Sequence, residues 1–277
     1  MGTGPTKGSF HDLGLRLVSG IVLAVIAFGL IWLGGWGFTM LVGVGGVLMS
    51  WEWSRIVRGT GRDTACVVHA LAVAIAVGLA AFGQPLLAVI VVAMGSVIVM
   101  ALTFGTQTVL SSLGVFYVGI PAVALIVLRL APSHGLAAVL LVMLVVWTVD
   151  TAAFMGGRSI GGPKLWPAVS PNKTWAGFLS GVGAGTVMGA GIGWWLGAPR
   201  LNLALVALAL GIASQGGDLA ESALKRAFGV KDSSGLIPGH GGILDRVDGV
   251  VAAATLAGMI AMVVNFAEPA RALLFGG

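Results

Sequence analysis

Ten acidic side chains occur in 277 residues, and half of them stand where acids are costly. Asp150, Asp218, Glu221, Asp245 and Asp248 lie inside or at the mouths of apolar segments. A carboxylate at a bilayer centre costs about 2.5–3.5 kcal/mol on insertion scales, so it is normally kept where it faces a cavity, a cation or a basic partner. Asp218 and Glu221 are three residues apart, as are Asp245 and Asp248, so each pair projects from one helix face. Lys225 and Arg226 follow the first pair on the last turn of its helix, where cations suit the helix dipole. The second pair lies within KDSSGLIPGHGGILDRVDG, Lys231 to Gly249, whose first part bends through Gly235, Pro238, Gly239, Gly241 and Gly242. A helical hairpin of this kind brings both pairs to one membrane face. Carboxylates without cysteine partners favour a hard cation such as Mg²⁺, which takes its other ligands from water and phosphate oxygens. Lysine and arginine nearby suit the phosphate charge that a metal leaves unneutralised. The competing account of these acids is an isolated stabilising ion pair. Of the other acids, Asp12, Glu52, Asp63 and Glu268 are expected to solvate loops and ends, and Asp232 belongs to the last polar loop.

A second polar stretch precedes this one: VDTAAFMGGRSIGGPKLWPAVSPNKTWAG, with Asp150, Arg158, Lys164 and Lys173. Its glycines and prolines forbid a long continuous helix. Ser170, Asn172 and Thr174 offer caps and hydrogen bonds. Alone, SPNKTW reads equally well as a helix start with a snorkelling lysine; beside the C-terminal acids it reads as a phosphate-binding lid.

The elements that must position these residues follow from composition. Apolar residues make up 57% of the chain and charged residues 9%, with a mean hydropathy of +1.03. Soluble domains carry about 25% charged residues, so this chain cannot clothe itself for water. Its solid apolar blocks exclude a β-barrel, whose segments alternate, and predict an all-α, polytopic integral membrane helical bundle. Nine spans are expected, at roughly 15–34, 36–54, 65–83, 85–104, 108–130, 134–156, 172–196, 201–226 and 243–266. The first is expected to be retained, because it is too long for a signal peptide. With the N-terminus inside, twelve of the fifteen lysines and arginines fall on the cytoplasmic side, and only Arg129, Arg200 and Arg271 on the other. That bias predicts an N-in, C-out topology and puts 231–249 in the cytoplasm. Distributed this way, the net charge of +5 is no nucleic-acid footprint. The single cysteine, Cys66, excludes an intramolecular disulfide. Residues 1–135 read as N-terminal transmembrane helices and 136–277 as the catalytic region. Gly177, Gly181, Gly185, Gly189 and Gly193 recur every fourth residue, a stripe that lets another backbone approach. It serves either packing within one bundle or the seam of a homodimer.

From Ser222 to Asp248 the chain reads S-x-L-K-R-x4-K-D-x-S-x2-I-P-x-H-G-G-x2-D-R-x-D. This resembles the signature of the phosphatidate cytidylyltransferases, or CDP-diacylglycerol synthases. The upstream D-x-x-A-F-x-x-G-R, SPNKT and GGDLAES stretches are similar to that family in the same order. Where many relatives continue SPNKTW with glutamate, this chain has Ala176, so no role of that carboxylate carries over. The resemblance implies that CTP and phosphatidic acid give CDP-diacylglycerol and pyrophosphate, in an inner (plasma) membrane of bacterial type, with the site facing the cytoplasm. Spacing and family position together assign Asp218 and Asp245, then Asp248, as Mg²⁺ ligands, with Asp150 binding a second cation or orienting Arg158. Lys225, Arg226, Lys231 and Arg246 would hold CTP phosphates or the lipid headgroup, with Lys173 closing over them. His240, in its Gly-His-Gly-Gly setting with Gly241 and Gly242, reads as a phosphate donor or a turn residue. Ser170, Asn172, Thr174, Arg158 and Asp232 complete the substrate set. A CTP-using lipid kinase, a cytidylyltransferase for another lipid and a secondary transporter are the rival functions.

Overall fold

Hydrocarbon offers backbone groups no water to bond, so long apolar runs satisfy their own N–H and C=O groups by becoming helices. In the computed structural model, which describes residues 20, 22, 24–237 and 241–276, they do so as α1 (Ala24–Leu33), α2 (Gly35–Arg58), α3 (Thr64–Ala81), α4 (Pro85–Leu102), α5 (Thr108–Leu130), α6 (Gly135–Ser159), α7 (Trp175–Leu196), α8 (Arg200–Ala227), α9 (Leu244–Val264) and α10 (Pro269–Phe275). Seven of them, α3 to α9, are long and apolar enough to cross a membrane. Of the first two expected spans, α2 is 24 residues long but carries Glu52, Arg55 and Arg58 in its last two turns, and much of the start of the other lies outside the described residues, α1 covering its second half. One apolar cluster runs through both halves of the chain, from Ile31 to Leu274.

The segment expected to open the seventh span is instead a hairpin. β1 (Lys164–Trp166) pairs antiparallel with β2 (Ser170–Thr174). Pro167 and Pro171 withhold the N–H groups a helix needs, and α7 starts only where Thr174 caps it, its Oγ1 accepting from Gly177 N at 3.1 Å. The main-chain N–H of Trp175 donates to Pro163 at 3.0 Å and closes the hairpin base onto the helix.

Contacts remote in sequence fix which helix ends share a face of the bundle. The Trp53 indole donates to Leu110 O at 2.9 Å, and Glu52 reaches Ile243 and Leu244, so the end of α2, the start of α5 and the start of α9 meet. The opposite end is tied by Arg129, which donates to Ile31 O at 2.7 Å and Trp32 O at 2.8 Å. Between α2 and α3, Arg58 holds Asp63 through two bonds of 2.7 and 2.9 Å, and Asp63 caps α3. The guanidinium keeps the Asp63 carboxyl below its ordinary range.

The glycine stripe is spent inside the bundle. All five of its glycines are buried. A Cβ at Gly181 would stand 2.7 Å from the main-chain oxygen of Val149 on α6, and one at Gly189 would stand 2.6 Å from that of Leu203 on α8. The stripe therefore lets α7 lie against α6 on one side and α8 on the other. Gly189→Val is expected to force α7 off α8 and destabilise the protein by about 1–3 kcal/mol. Gly191→Ala, where nothing lies within 4 Å of the added methyl, should leave thermal unfolding in detergent unchanged.

Candidate active site

Length brings the polar end of α8 out of the hydrocarbon. Its 28 residues span about 42 Å, against a hydrocarbon core of about 30 Å. Starting from Arg200, the apolar part is used up near Asp218, and Glu221, Lys225 and Arg226 project beyond it. The first turns of α9 bring Asp245 and Asp248 alongside, the end of α6 brings Asp150, and β2 brings Lys173.

These residues separate into two groups, each organised by a lysine. In the first, Lys225 Nζ lies 2.7 Å from Glu221 Oε2, one turn earlier on α8, and 2.6 Å from Asp245 Oδ1 on α9. The two carboxylates are almost enclosed, with side-chain exposures of 1% and 8%. Asp245 also accepts from Ser233 N and Oγ at 2.9 and 3.0 Å, and from Gly242 N at 2.8 Å. It thereby pins both arms of the 231–243 loop to the first turn of α9, where a carboxylate also suits the helix dipole. Gly241, with φ of +83°, supplies the left-handed turn between these arms, and its carbonyl receives Ile237 N at 2.9 Å.

In the second group, Lys173 Nζ lies 2.6 Å from Asp218 Oδ2. Asp150 Oδ1 accepts from Gln215 at 3.3 Å, and Asp248 Oδ1 from the N–H of Gly249 at 2.7 Å. Asp150, Asp218 and Asp248 lie within electrostatic range of one another and of Lys173. Three carboxylates against one ammonium leave an excess of two negative charges, which suits a divalent cation. Among the described residues no three His, Cys, Asp or Glu side chains close into a metal cage. Mg²⁺ does not require one, because one or two carboxylates hold it while water and substrate phosphates complete its shell. The second group fits that chemistry. Asp245 fits it less well, since Lys225, Ser233 and Gly242 already occupy its oxygens.

The other expected residues fall outside these two groups. Thr174 is buried and committed to its cap. Ser170 and Asn172 lie on β2, and Arg158 is exposed on the last turn of α6. Arg226 donates to Val230 O at 3.2 Å, Arg246 is exposed on the first turn of α9, and Lys231 and Asp232 are exposed in the loop. His240 lies outside the described residues.

Glu52 overturns its sequence reading. Expected to solvate a helix end, it is instead fully buried and caps α9 from a distance. Its Oε1 accepts from Ser234 Oγ at 2.5 Å and Ile243 N at 2.9 Å, and its Oε2 accepts from Leu244 N at 2.7 Å. A Cβ at Gly242 would collide with Ser233 Oγ and with Glu52 Oε1, so glycine is needed for this approach. The signal was available: Glu52 stands inside an expected span, as do the five acids singled out.

A model of the cytidylyltransferase family matches residues 14–264. A phosphatidate cytidylyltransferase of Brucella suis is 38% identical over 261 residues, covering 93% of this chain and 96% of the relative. Those of Bacillus subtilis and Staphylococcus haemolyticus are 41% and 44% identical over about half of each chain. With the match running through every helix from α1 to α9, this chain belongs to the cytidylyltransferase family.

Proposed function

We propose that this chain is an integral membrane enzyme that joins CTP to phosphatidic acid, giving CDP-diacylglycerol and pyrophosphate. The near end-to-end similarity to proteins of that name carries this reading. The two lysine-centred carboxylate groups support it. An oxygen of the lipid phosphate forms a bond to the α-phosphorus of CTP while the bond from that phosphorus to the β-phosphate oxygen breaks, and pyrophosphate leaves. The nucleophile is already anionic, so no strong base is needed. The barrier lies in bringing two anions together and in charge developing on the leaving group.

Asp218 and Asp248, with Asp150 beside them, would hold Mg²⁺, which when bound neutralises phosphate charge. Lys173, tethered to Asp218, is placed to turn toward a phosphate as the nucleotide enters. Lys225 orders Asp245 and through it the 231–243 loop, a different part from the direct phosphate contact expected of it. Arg226 and Arg246 at the rim would steer anionic substrates. The face carrying these residues holds ten lysines and arginines, while the opposite face holds Arg129, Arg200 and Arg271. That asymmetry supports a cytoplasmic site in an inner membrane; Lys7 and Arg16 lie outside the described residues.

The test is incubation of the purified protein with phosphatidic acid, Mg²⁺ and labelled CTP, followed by weighing the lipid product. A cytidylyl adduct is expected, whereas a lipid carrying only an added phosphoryl group would indicate a lipid kinase. Asp218→Asn should lower turnover by about ten- to a hundredfold, by weakening the cation site and releasing Lys173. Normal turnover in that variant would remove Asp218 from the assignment.

A further inference from the structure

Outside the two carboxylate groups, an open cavity of about 410 Å³ lies between the last turns of α2 and the polar loop. Arg55 lines it from α2, and Lys231, Asp232, Ser233, Ser234 and Gly235 line it from the loop. We propose that this cavity is a phosphate-binding subsite in which Arg55 and Lys231 grip the phosphate-bearing end of a substrate, which the reaction releases as pyrophosphate when that substrate is CTP. The inference rests on the proposed cytidylyl transfer for its substrate, but not for its anion chemistry.

Three observations carry it. First, neither Arg55 nor Lys231 has an ion pair or a side-chain hydrogen bond among the described residues. Arg55 stacks over Trp51, its guanidinium carbon 4.8 Å from the ring centroid. Stacking uses the flat face of the guanidinium and leaves its in-plane N–H fork free, the edge that binds phosphate in two bonds at once. Secondly, the loop wall is rigidly set. The hydroxyls of Ser233 and Ser234 are taken by Asp245 and Glu52, so neither serine is free to rearrange toward the cavity. The main-chain N–H groups of Asp232, Ser234 and Gly235 meanwhile have no acceptor among the described residues. Thirdly, Glu52 stands one turn before Arg55 on α2 and bonds Ser234, so the same helix that carries the arginine also fixes the opposite wall. Asp232 offsets one of the two positive charges and leaves the lining net cationic. An anion with several oxygens matches free guanidinium, ammonium and amide donors; an apolar ligand does not.

The first measurement is binding of inorganic pyrophosphate to the purified protein by calorimetry, for the native chain, Arg55→Gln and Lys231→Gln. Both side chains are exposed, so neither variant is expected to unfold, and equal thermal unfolding in detergent checks this. Loss of one charge-assisted contact should weaken pyrophosphate binding about tenfold. Arg55→Lys should recover only part of it, because the ammonium keeps the charge but lacks the fork. In steady-state assays, a similar rise in KM for CTP with KM for phosphatidic acid unchanged identifies the ligand as the nucleotide's distal phosphates. A rise confined to phosphatidic acid identifies it as the lipid headgroup phosphate. Native pyrophosphate binding retained in Arg55→Gln and Lys231→Gln, with both KM values within twofold of the native ones, overturns the subsite. A native chain that binds pyrophosphate through Arg55 yet makes no cytidylyl lipid overturns the proposed reaction and leaves the subsite standing.

Discussion

Lys225→Met is expected to lower turnover by about 10²–10³-fold and stability by about 3–5 kcal/mol, the cost of stranding a buried charge without its partner. The lysine stands between two enclosed carboxylates, 2.7 Å from Glu221 and 2.6 Å from Asp245. Without the ammonium, two like charges face each other where water scarcely reaches them. Relief comes by protonating one acid or by moving Asp245 away, and either change disturbs the bonds from Ser233 and Gly242 that hold the loop. Loss of such preorganisation is worth about 10²–10³ in rate. Thermal unfolding in detergent and cytidylyl transfer from labelled CTP measure the two effects. Adding Asp245→Asn to Lys225→Met should recover part of the stability, since one stranded charge is removed, and none of the activity. An unchanged unfolding temperature in Lys225→Met would show that the bridge does not carry this load.

Glu52→Ala is the second large effect, and it acts from the half of the chain that looks like plain scaffold. Three donors lose their acceptor at once: Ser234 Oγ and the main-chain N–H groups of Ile243 and Leu244. A buried donor left without a partner costs about 1–3 kcal/mol, so a total of about 3–6 kcal/mol is expected once neighbours relax. The start of α9 would lose its cap, and the loop would lose its anchor to α2. Faster proteolytic nicking within 231–243 should accompany a fall in kcat. Glu52→Gln keeps the shape and one acceptor oxygen but turns an amide donor toward an N–H, so it should fall between native and alanine in both readouts. Equal nicking rates for all three proteins would rule out the anchor.

The lid expectation shows how far local pattern reaches. Proline and glycine forbade one continuous helix through 149–177, and the chain indeed breaks between α6 and α7, because each proline removes a donor wherever it sits. The hairpin was not foreseen, because a strand pair depends on which donors and acceptors meet across a turn. The same holds for the glycine stripe. Its period showed that a backbone would come close, while the choice of α6 and α8 over a second copy of the chain rested on the tertiary packing.

What the sequence determined by itself was the kind of molecule and the kind of chemistry. Apolar runs of bilayer length have one stable form, the helix, because hydrocarbon leaves no other way to satisfy the backbone. The resemblance to a family signature from Ser222 to Asp248, and acids at helical spacing inside those runs, point to phosphate chemistry by themselves. What only the tertiary structure decided was the pairing. Lys225 was expected on phosphate and is found between two acids. Lys173 meets Asp218, and Glu52 crosses 191 residues of chain to cap α9 with Ile243 N. Periodicity constrains neighbours within an element, whereas a charge buried in a bundle takes whichever partner packing brings within about 3 Å. Apart from Glu221, one turn from Lys225 on the same helix, these partners come from other elements, and spacing along the chain carries no record of them.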